Sequence, residues 1–403
     1  MVAACAWRDN LTNKTDSVDF LCFGGEDWWY HNRGHIDMQL MRRFARTGTV
    51  LYVNSIVMQK PNLSRGRTFL KKLIRKTKSI LTGLKKSDAG FWVYSPFSLP
   101  VHHIGGLRML NELILRLQLR LITWKLGVRN PVIWVACPAA CDVALAIRKN
   151  KLVYQRTDRF EDSPNVDAKI IKKYDRRLKA EADLTVFVNK VLHGEESAQC
   201  KKAIYLDHGV DYELFASAEK NPYIPADIAT IRRPIVGYFG GIADHKFDIE
   251  LMEKVLALLP EFSFVFVGDV SQNCRGKLDA KNVWLLGQKP YEQIPHYGKC
   301  FDVTIMPWRL NSWIEACNPI KLKEYLALGK PIVSIFFSEI NNYLDVVYVA
   351  KTAKDFAQAI EKALAEDCPV RIAARKKRVQ NASWESKAQK VIDELYADKG
   401  ESR

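Results

Sequence analysis

Twice in this chain an apolar run ends in a Gly-Gly pair and then passes into a segment of helical spacing. The first is VDFLCFGG (18–25) and the second PIVGYFGG (234–241). Apolar runs this short, closed by turn residues, suit buried strands. After the first, Ile36, Leu40, Met41 and Phe44 predict a helix from about Gly34, and TVLYVN (49–54) predicts the next strand. Strand, helix and strand in that order make the unit of a parallel sheet with helices on its faces. Open sheets of this kind place ligands beyond the carboxyl ends of the strands, where both glycine pairs fall. The repeated layout predicts an α/β chain of two Rossmann-like domains, and a chain of 403 residues is long enough to split. The expected boundaries are a tail at 1–17, a first domain at 18–220, a three-proline linker at 221–233 reaching Pro234, a second domain at 234–381, and a closing helix and tail at 382–403.

The remaining strands of the first domain are expected at 91–96, 131–136, 151–155, 183–189 and 203–209, and those of the second at 262–269, 282–287, 301–308 and 332–337. The nine cysteines are odd in number and scattered, without a C-x-x-C pair, which excludes a disulfide framework and predicts a reduced compartment. The N-terminal sixteen residues lack a long apolar run, so no secretory signal is expected.

A net charge of +16 calls for an anionic partner or surface. Ten of the basic residues lie in 60–86 with no acid among them, beside Phe69, Leu70, Leu73, Ile74, Ile80, Leu81 and Leu84. That pattern predicts a basic amphipathic helix of the kind that lies on membranes. The alternative is a solvated helix packing its stripe on the domain. Residues 107–126 are apolar enough to raise the question of a membrane span. Arg108, Glu112, Arg116 and Arg120 recur every four residues and argue for an amphipathic helix instead.

The stretch NPIKLKEYLALGKPIVS (318–334) combines several signals. Asn318 suits an N-cap and Pro319 the first helical position. Gly329 closes the helix, Pro331 blocks its continuation, and a buried strand follows. The free N–H groups of the first turn suit a phosphate. Lys321 and Glu324 share a face, which would fit a nucleotide diphosphate with the acid on ribose hydroxyls. An ordinary capped helix with solvated Lys and Glu would read the same way.

That stretch resembles the donor-binding helix of the retaining group 1, or family 4, glycosyltransferases of the GT-B fold. The pattern P-x-K-x-x-E-Y-x-A-x-G-K-P-V-V is matched by Pro319, Lys321, Glu324, Tyr325, Ala327, Gly329, Lys330, Pro331, Ile332 and Val333. KLVYQRTDRF resembles Y-x-x-x-D-x-F, HGVDYELF resembles the motif ending the first domain, and ASWESKAQ resembles the closing helix that crosses back to that domain. The resemblance implies two Rossmann-like domains facing across a cleft, and transfer of a hexose from a nucleotide diphosphate sugar with retention of configuration. It implies donor contacts from Gly240, Gly241, Gly287, Gln288, Asn318, Pro319, Ile320, Lys321 and Glu324. Lys246 is a candidate for the diphosphate and Asp248 for its turn. Asp158 is a candidate for acceptor contact or base, the alternative being a cap of the next helix. Glu26, Arg33, His35 and His208 are acceptor-side candidates. The chain departs from the family at E-x7-E: eight before Glu324 stands Ala316, and Glu315, one position early, serves if the loop shifts.

The expected protein is a glycosyltransferase acting on a glycan or lipid-linked acceptor in bacterial cell-surface or exopolysaccharide synthesis. It is expected to be cytoplasmic and peripheral at the inner face of an anionic membrane. No metal or other cofactor is expected, because a helix N-terminus with Lys246 and Lys321 can neutralise a leaving diphosphate. A sugar-nucleotide epimerase shares the fold, and a basic nucleic-acid-binding protein would share the charge.

Overall fold

The computed structural model describes residues 18–30, 34–56, 66–98, 105–163 and 166–397. The tail at 1–17, Arg33, Lys60, Arg65 and the side chains of Phe69, Leu70 and Leu73 lie outside the described residues. The chain divides into two compact units. Unit one runs to Phe187 and takes in His193–Tyr205 and the chain from Ala388; unit two is Val188–Leu192 with Leu206–Lys387.

Unit one is built on β1 (Phe20–Phe23), β2 (Val50–Val53), β3 (Leu84–Lys86), β4 (Trp92–Tyr94), β5 (Val132–Val135), β6 (Leu152–Arg156), β7 (Leu184–Phe187) and β8 (Ala203–Tyr205). They form one sheet in the order β3-β4-β2-β1-β5-β6-β7-β8, parallel except for the β3–β4 pair. Successive strand residues face opposite sides. Phe20 therefore meets α1 (Ile36–Phe44), stacking on Phe44 at 4.2 Å. Leu21 and Phe23 meet Leu115 and Leu119 of the long helix α3 (Gly105–Lys125) on the other side.

One expectation changes here. The basic segment is not one helix to residue 86. Its helix, α2 (Gly66–Thr82), stops before Gly83, whose φ of +62° turns the chain, and Leu84, Lys85 and Lys86 form the antiparallel edge strand. Its apolar residues do not all pack on the domain, as the alternative of a solvated helix would have them. Ser79 is the buried position of its second half, bonded to Asp27 and Ser95, and Lys76 Nζ donates to the Ser55 carbonyl, while Ile74 and Leu81 are exposed.

Unit two carries β9 (Ile235–Phe239), β10 (Ser263–Val267), β11 (Val283–Gly287), β12 (Val303–Met306), β13 (Ile332–Ile335) and β14 (Val347–Ala350), the last unforeseen from sequence. The sheet is parallel in the order β11-β10-β9-β12-β13-β14. This is the doubly wound order, and the direction of winding reverses between β9 and β12. Met252 and Val255 of α5 (Ile249–Leu258) and Phe356 and Ile360 of α7 (Ala353–Ala365) cover one face. Leu322, Tyr325 and Leu326 of α6 (Ile320–Leu328) cover the other.

Helix α8 (Trp384–Tyr396) begins as expected, with Ser383 Oγ accepting from the Ser386 N–H at 3.2 Å. From Ala388 it belongs to unit one, where Glu394 pairs with Lys202 at 2.9 Å.

Candidate functional site

Helix α6 carries Lys321, Lys323 and Glu324 among its nine residues, yet it is buried rather than laid on a surface. Leu322 to Leu328 are all buried, including Lys323 and Glu324. Its C-terminus closes through Gly329 at φ +74°, with Gly329 N–H donating to the Leu326 carbonyl and Lys330 N–H to that of Tyr325. Those two bonds satisfy carbonyls that the last turn leaves open. The Tyr325 hydroxyl accepts from the Phe239 N–H at 3.1 Å, which fixes α6 against the end of β9.

The N-terminus differs from the expectation. Pro319 is the N-cap, with φ −80° and ψ 120°, and no side chain caps the helix. Asn318 stands one residue outside and turns away. Its Nδ2 donates to the Val188 carbonyl at 2.9 Å and to Asp207 Oδ1 at 3.1 Å, leaving its buried Oδ1 without a partner. Two tertiary acceptors outcompete the local capping bond. Lys323 strengthens the same anchor, bonding Asp207 and donating to the His208 carbonyl at 2.6 Å.

Lys321 reaches the glycine turn after β9. Its Nζ lies 4.0 Å from the Tyr238 ring centroid and 5.3 Å from that of Trp308, and donates to the Tyr238 hydroxyl at 2.5 Å. Gly240 has φ +128°, and a Cβ there would meet Lys321 Nζ at 2.5 Å. Gly268, at the end of β10, packs its backbone on that of Gly240, and its N–H donates to the Gly287 carbonyl at 2.9 Å. Backbone at the ends of β9, β10 and β11 is thus gathered together, and Lys321 covers Gly240 where the winding reverses. Gly241 is exposed, with open space where a side chain would stand, and Gln288 is exposed beside Gly287.

Glu324 is buried one turn further along α6. Burial pushes its carboxyl up to about 7; Lys321 and a bond with Tyr291 pull it down, and Asp211 pushes it up. Ile320 is half-buried beside this face.

Lys246 lies on the other strap of the site. Its Nζ is 5.1 Å from the Trp313 ring, and its carbonyl accepts from the Arg309 N–H at 2.8 Å. Phe247 bridges Trp308, Asp248 N–H donates to the Pro307 carbonyl, and Asn311 Nδ2 donates to the His245 carbonyl. The segments after β9 and after β12 are therefore zipped together, and Trp308 is shared with Lys321. Asp248 caps α5, accepting from the Leu251 N–H at 3.0 Å. Glu315 ends a one-turn helix and is exposed, while Ala316 is buried.

The first-domain candidates lie in unit one, apart from His208. Asp158 follows β6, half-buried, and its carbonyl accepts from Arg156 Nη1 at 2.9 Å. It does not cap the following helix, α4 (Ala168–Glu181); Asp167 does, accepting from the Ile170 N–H at 3.3 Å. Arg156 is itself buried between Glu161, Asp175 and Glu196. Glu26 follows the first glycine pair, where Tyr52 and the Gly25 N–H both bond the buried Asp37 at 2.9 Å. His35 is exposed and heads α1 without capping it. His208 falls in unit two, buried edge-on to Trp384. Among the described residues, no group of three His, Cys, Asp or Glu converges to hold a metal ion.

Sequence reasoning missed Tyr238, Trp308, Gly268 and Tyr291. Gly268 had a signal, a glycine ending an apolar strand as Gly240 does. The aromatics had none, because nothing local marks which ring a lysine will cover.

Residues 233–366 match the family described as glycosyl transferases group 1. That segment is a group 1 glycosyl transferase domain. It contains Gly240, Lys246, Lys321 and Glu324. A curated relative, the putative teichuronic acid biosynthesis glycosyltransferase TuaH of Bacillus subtilis (strain 168), is 30% identical over 213 residues. The match spans 49% of this chain and 53% of that protein, about half the length of each. Among solved structures, sucrose-phosphate synthase from Thermosynechococcus elongatus superposes with a TM-score of 0.67 at 15% identity, covering 94% of this chain and 99% of the other. Anabaena HepE in complex with UDP and glucose gives 0.64 at 15% identity, covering 95% and 100%. The fold is GT-B, and the group 1 domain is the core of unit two.

Proposed function

We propose that the chain is a glycosyltransferase that takes a hexose from a nucleotide diphosphate sugar and delivers it to a glycan or lipid-linked acceptor in bacterial cell-surface polysaccharide synthesis. One observation carries this reading. At the switch point of a group 1 domain, an ammonium held by a hydroxyl and two aromatic faces sits over Gly240, beside an uncapped helix N-terminus and one turn from a buried carboxyl. Phosphate oxygens would draw Lys321 from Tyr238, because they set a full negative charge against the ammonium where the hydroxyl offers only a neutral acceptor. The Ile320 and Lys321 N–H groups and the Gly240–Gly241 backbone would complete the cradle. Glu324, as carboxylate, would accept from ribose hydroxyls, and the Gly287–Gln288 turn would meet the base. Lys246 would share the charge that grows on the leaving diphosphate, which is why we expect no metal to be needed. Asp158 would meet the acceptor, and Glu315 the sugar after a shift of its one-turn helix. Retention of configuration follows from the family resemblance.

The teichuronic acid assignment of the relative supports an envelope polysaccharide as product, and UDP in the HepE complex makes uracil the first base to try. We further propose that the enzyme works on the cytoplasmic side, peripheral to an anionic membrane, through basic α2. No helix among the described residues is long and apolar enough to cross a membrane. The test is thermal shift against UDP, GDP, ADP and dTDP sugars, followed by product analysis. A donor at 100 times its dissociation constant adds about 2.7 kcal/mol. No shift with any of the four, and no transfer, would overturn the assignment.

A further inference from the structure

Helix α3 of unit one has two apolar faces, and the fold uses one. Asn111, Leu115 and Leu119 are buried against the sheet side that carries Leu21, Phe23 and Ile133. Met109, Leu113, Leu117 and Leu121 follow one another every four residues along a different face, and Trp124 ends the row. All five are more than half exposed, Trp124 at 81% and Met109 at 76%; Leu107 and Leu110 flank them, also exposed. A contiguous apolar row from Met109 to Trp124, about 24 Å of this 21-residue helix, marks an interaction surface rather than scattered surface leucines.

The rim decides what covers it. Arg116, Arg120 and Lys125 are exposed beside the row, Arg108 stands at its start, and Glu112 is the helix's one acid, 3.5 Å from Arg116. A second copy of this face would set the same cations against each other. An anionic bilayer leaflet would accept the leucines between its acyl chains and the cations at its headgroups. A tryptophan at the helix end suits the boundary between the two.

We propose that α3 lies in the plane of an anionic membrane and is the element that embeds, with Met109, Leu113, Leu117, Leu121 and Trp124 in the acyl boundary. This rests on the membrane part of the proposed function and relocates it: α2 supplies charge near the surface, and α3 supplies the apolar anchor. Sugar transfer is independent of it, so donor titration separates the failure of one from the failure of the other.

The test is flotation of the full chain with vesicles of phosphatidylglycerol and phosphatidylcholine, against phosphatidylcholine alone. Wild type floats with the anionic vesicles. Leu117→Glu with Leu121→Glu loses at least about tenfold in vesicle affinity, since two leucines that enter the acyl boundary become two charges facing an anionic surface. Leu117→Ala with Leu121→Ala loses less and in the same direction. Arg75→Glu with Lys78→Glu on α2 weakens flotation and leaves residual binding. Bromine-labelled lipid quenches wild-type emission, and Trp124→Phe removes most of that quench. Circular dichroism melts show every variant folded. Equal flotation of wild type and the double glutamate variant overturns the proposal. So does a wild-type dimer in sedimentation that the double glutamate variant splits, which would make a second copy the occupant.

Discussion

Replacing Glu324 by glutamine separates what this residue does for the fold from what it does for the donor. The carboxyl is buried and its pKa stands at about 7, against 4.5 for an unburied glutamate. A folded-state pKa raised above the unfolded one makes the wild type most stable below pH 4.5, where the group is protonated in both states. Stability then falls as pH rises through 4.5 and levels off above 7. At about 1.36 kcal/mol per unit, the carboxylate costs the folded state up to about 3 kcal/mol above neutrality. Glutamine carries no such cost. Glu324→Gln should match or trail wild type at pH 4.5 and exceed it by up to about 3 kcal/mol at pH 8.5. For a unit of this size that is roughly 6–12 °C in melting temperature. Glu339 also sits at about 7, through burial first and Asp207 second, but it is present in both proteins and cancels in the difference. Paired thermal scans from pH 4.5 to 8.5 measure the effect. Donor affinity should move the opposite way. The variant loses the acceptor for ribose hydroxyls, and wild-type affinity should drop as pH falls below 7 and the carboxylate takes up its proton. A pH-independent difference in melting between the two proteins would refute the buried-carboxyl argument. Unchanged donor affinity in calorimetry would refute the ribose role.

Lys321→Met should weaken donor binding by 1.5–3 kcal/mol, roughly 10- to 150-fold, through loss of a charge-assisted bond, with melting near wild type. Gly240→Ala should cost about 1–3 kcal/mol of stability and abolish donor binding, because φ +128° strains any side chain and the new methyl would displace the Lys321 ammonium; circular dichroism melts and calorimetry read both. Transfer activity should survive EDTA, and a loss restored by Mg²⁺ or Mn²⁺ would count against charge neutralisation by Lys246 and Lys321. Lys323→Met should destabilise unit two by about 1–3 kcal/mol, since it leaves Asp207 with Lys387 at 3.8 Å as its cation and the His208 carbonyl without its ammonium donor, and urea unfolding would show it.

Where the signal was periodic and local, the sequence was enough. Strand length, the glycine pairs and the helical spacing around 36–44 determined an α/β chain with a repeated layout, and the helix at 320–328 with its glycine stop was readable from residue types alone. These features depend on neighbours a few positions apart, which the sequence displays directly. Tertiary structure decided everything that depended on competition between distant partners. Asn318 gave up the cap because Val188 and Asp207 offered better bonds. Asp167 rather than Asp158 capped its helix, and the basic segment ended in an edge strand because β4 was there to pair with it. Lys321 acquired its place from Tyr238, Trp308 and the bare backbone of Gly240, three strand-end features brought together by the doubly wound order. The charges on α3 argued correctly against a membrane span, yet spacing alone could not say which of its two apolar faces would meet the sheet. Packing chose Leu115 and Leu119, and left the row from Met109 to Trp124 to the solvent side.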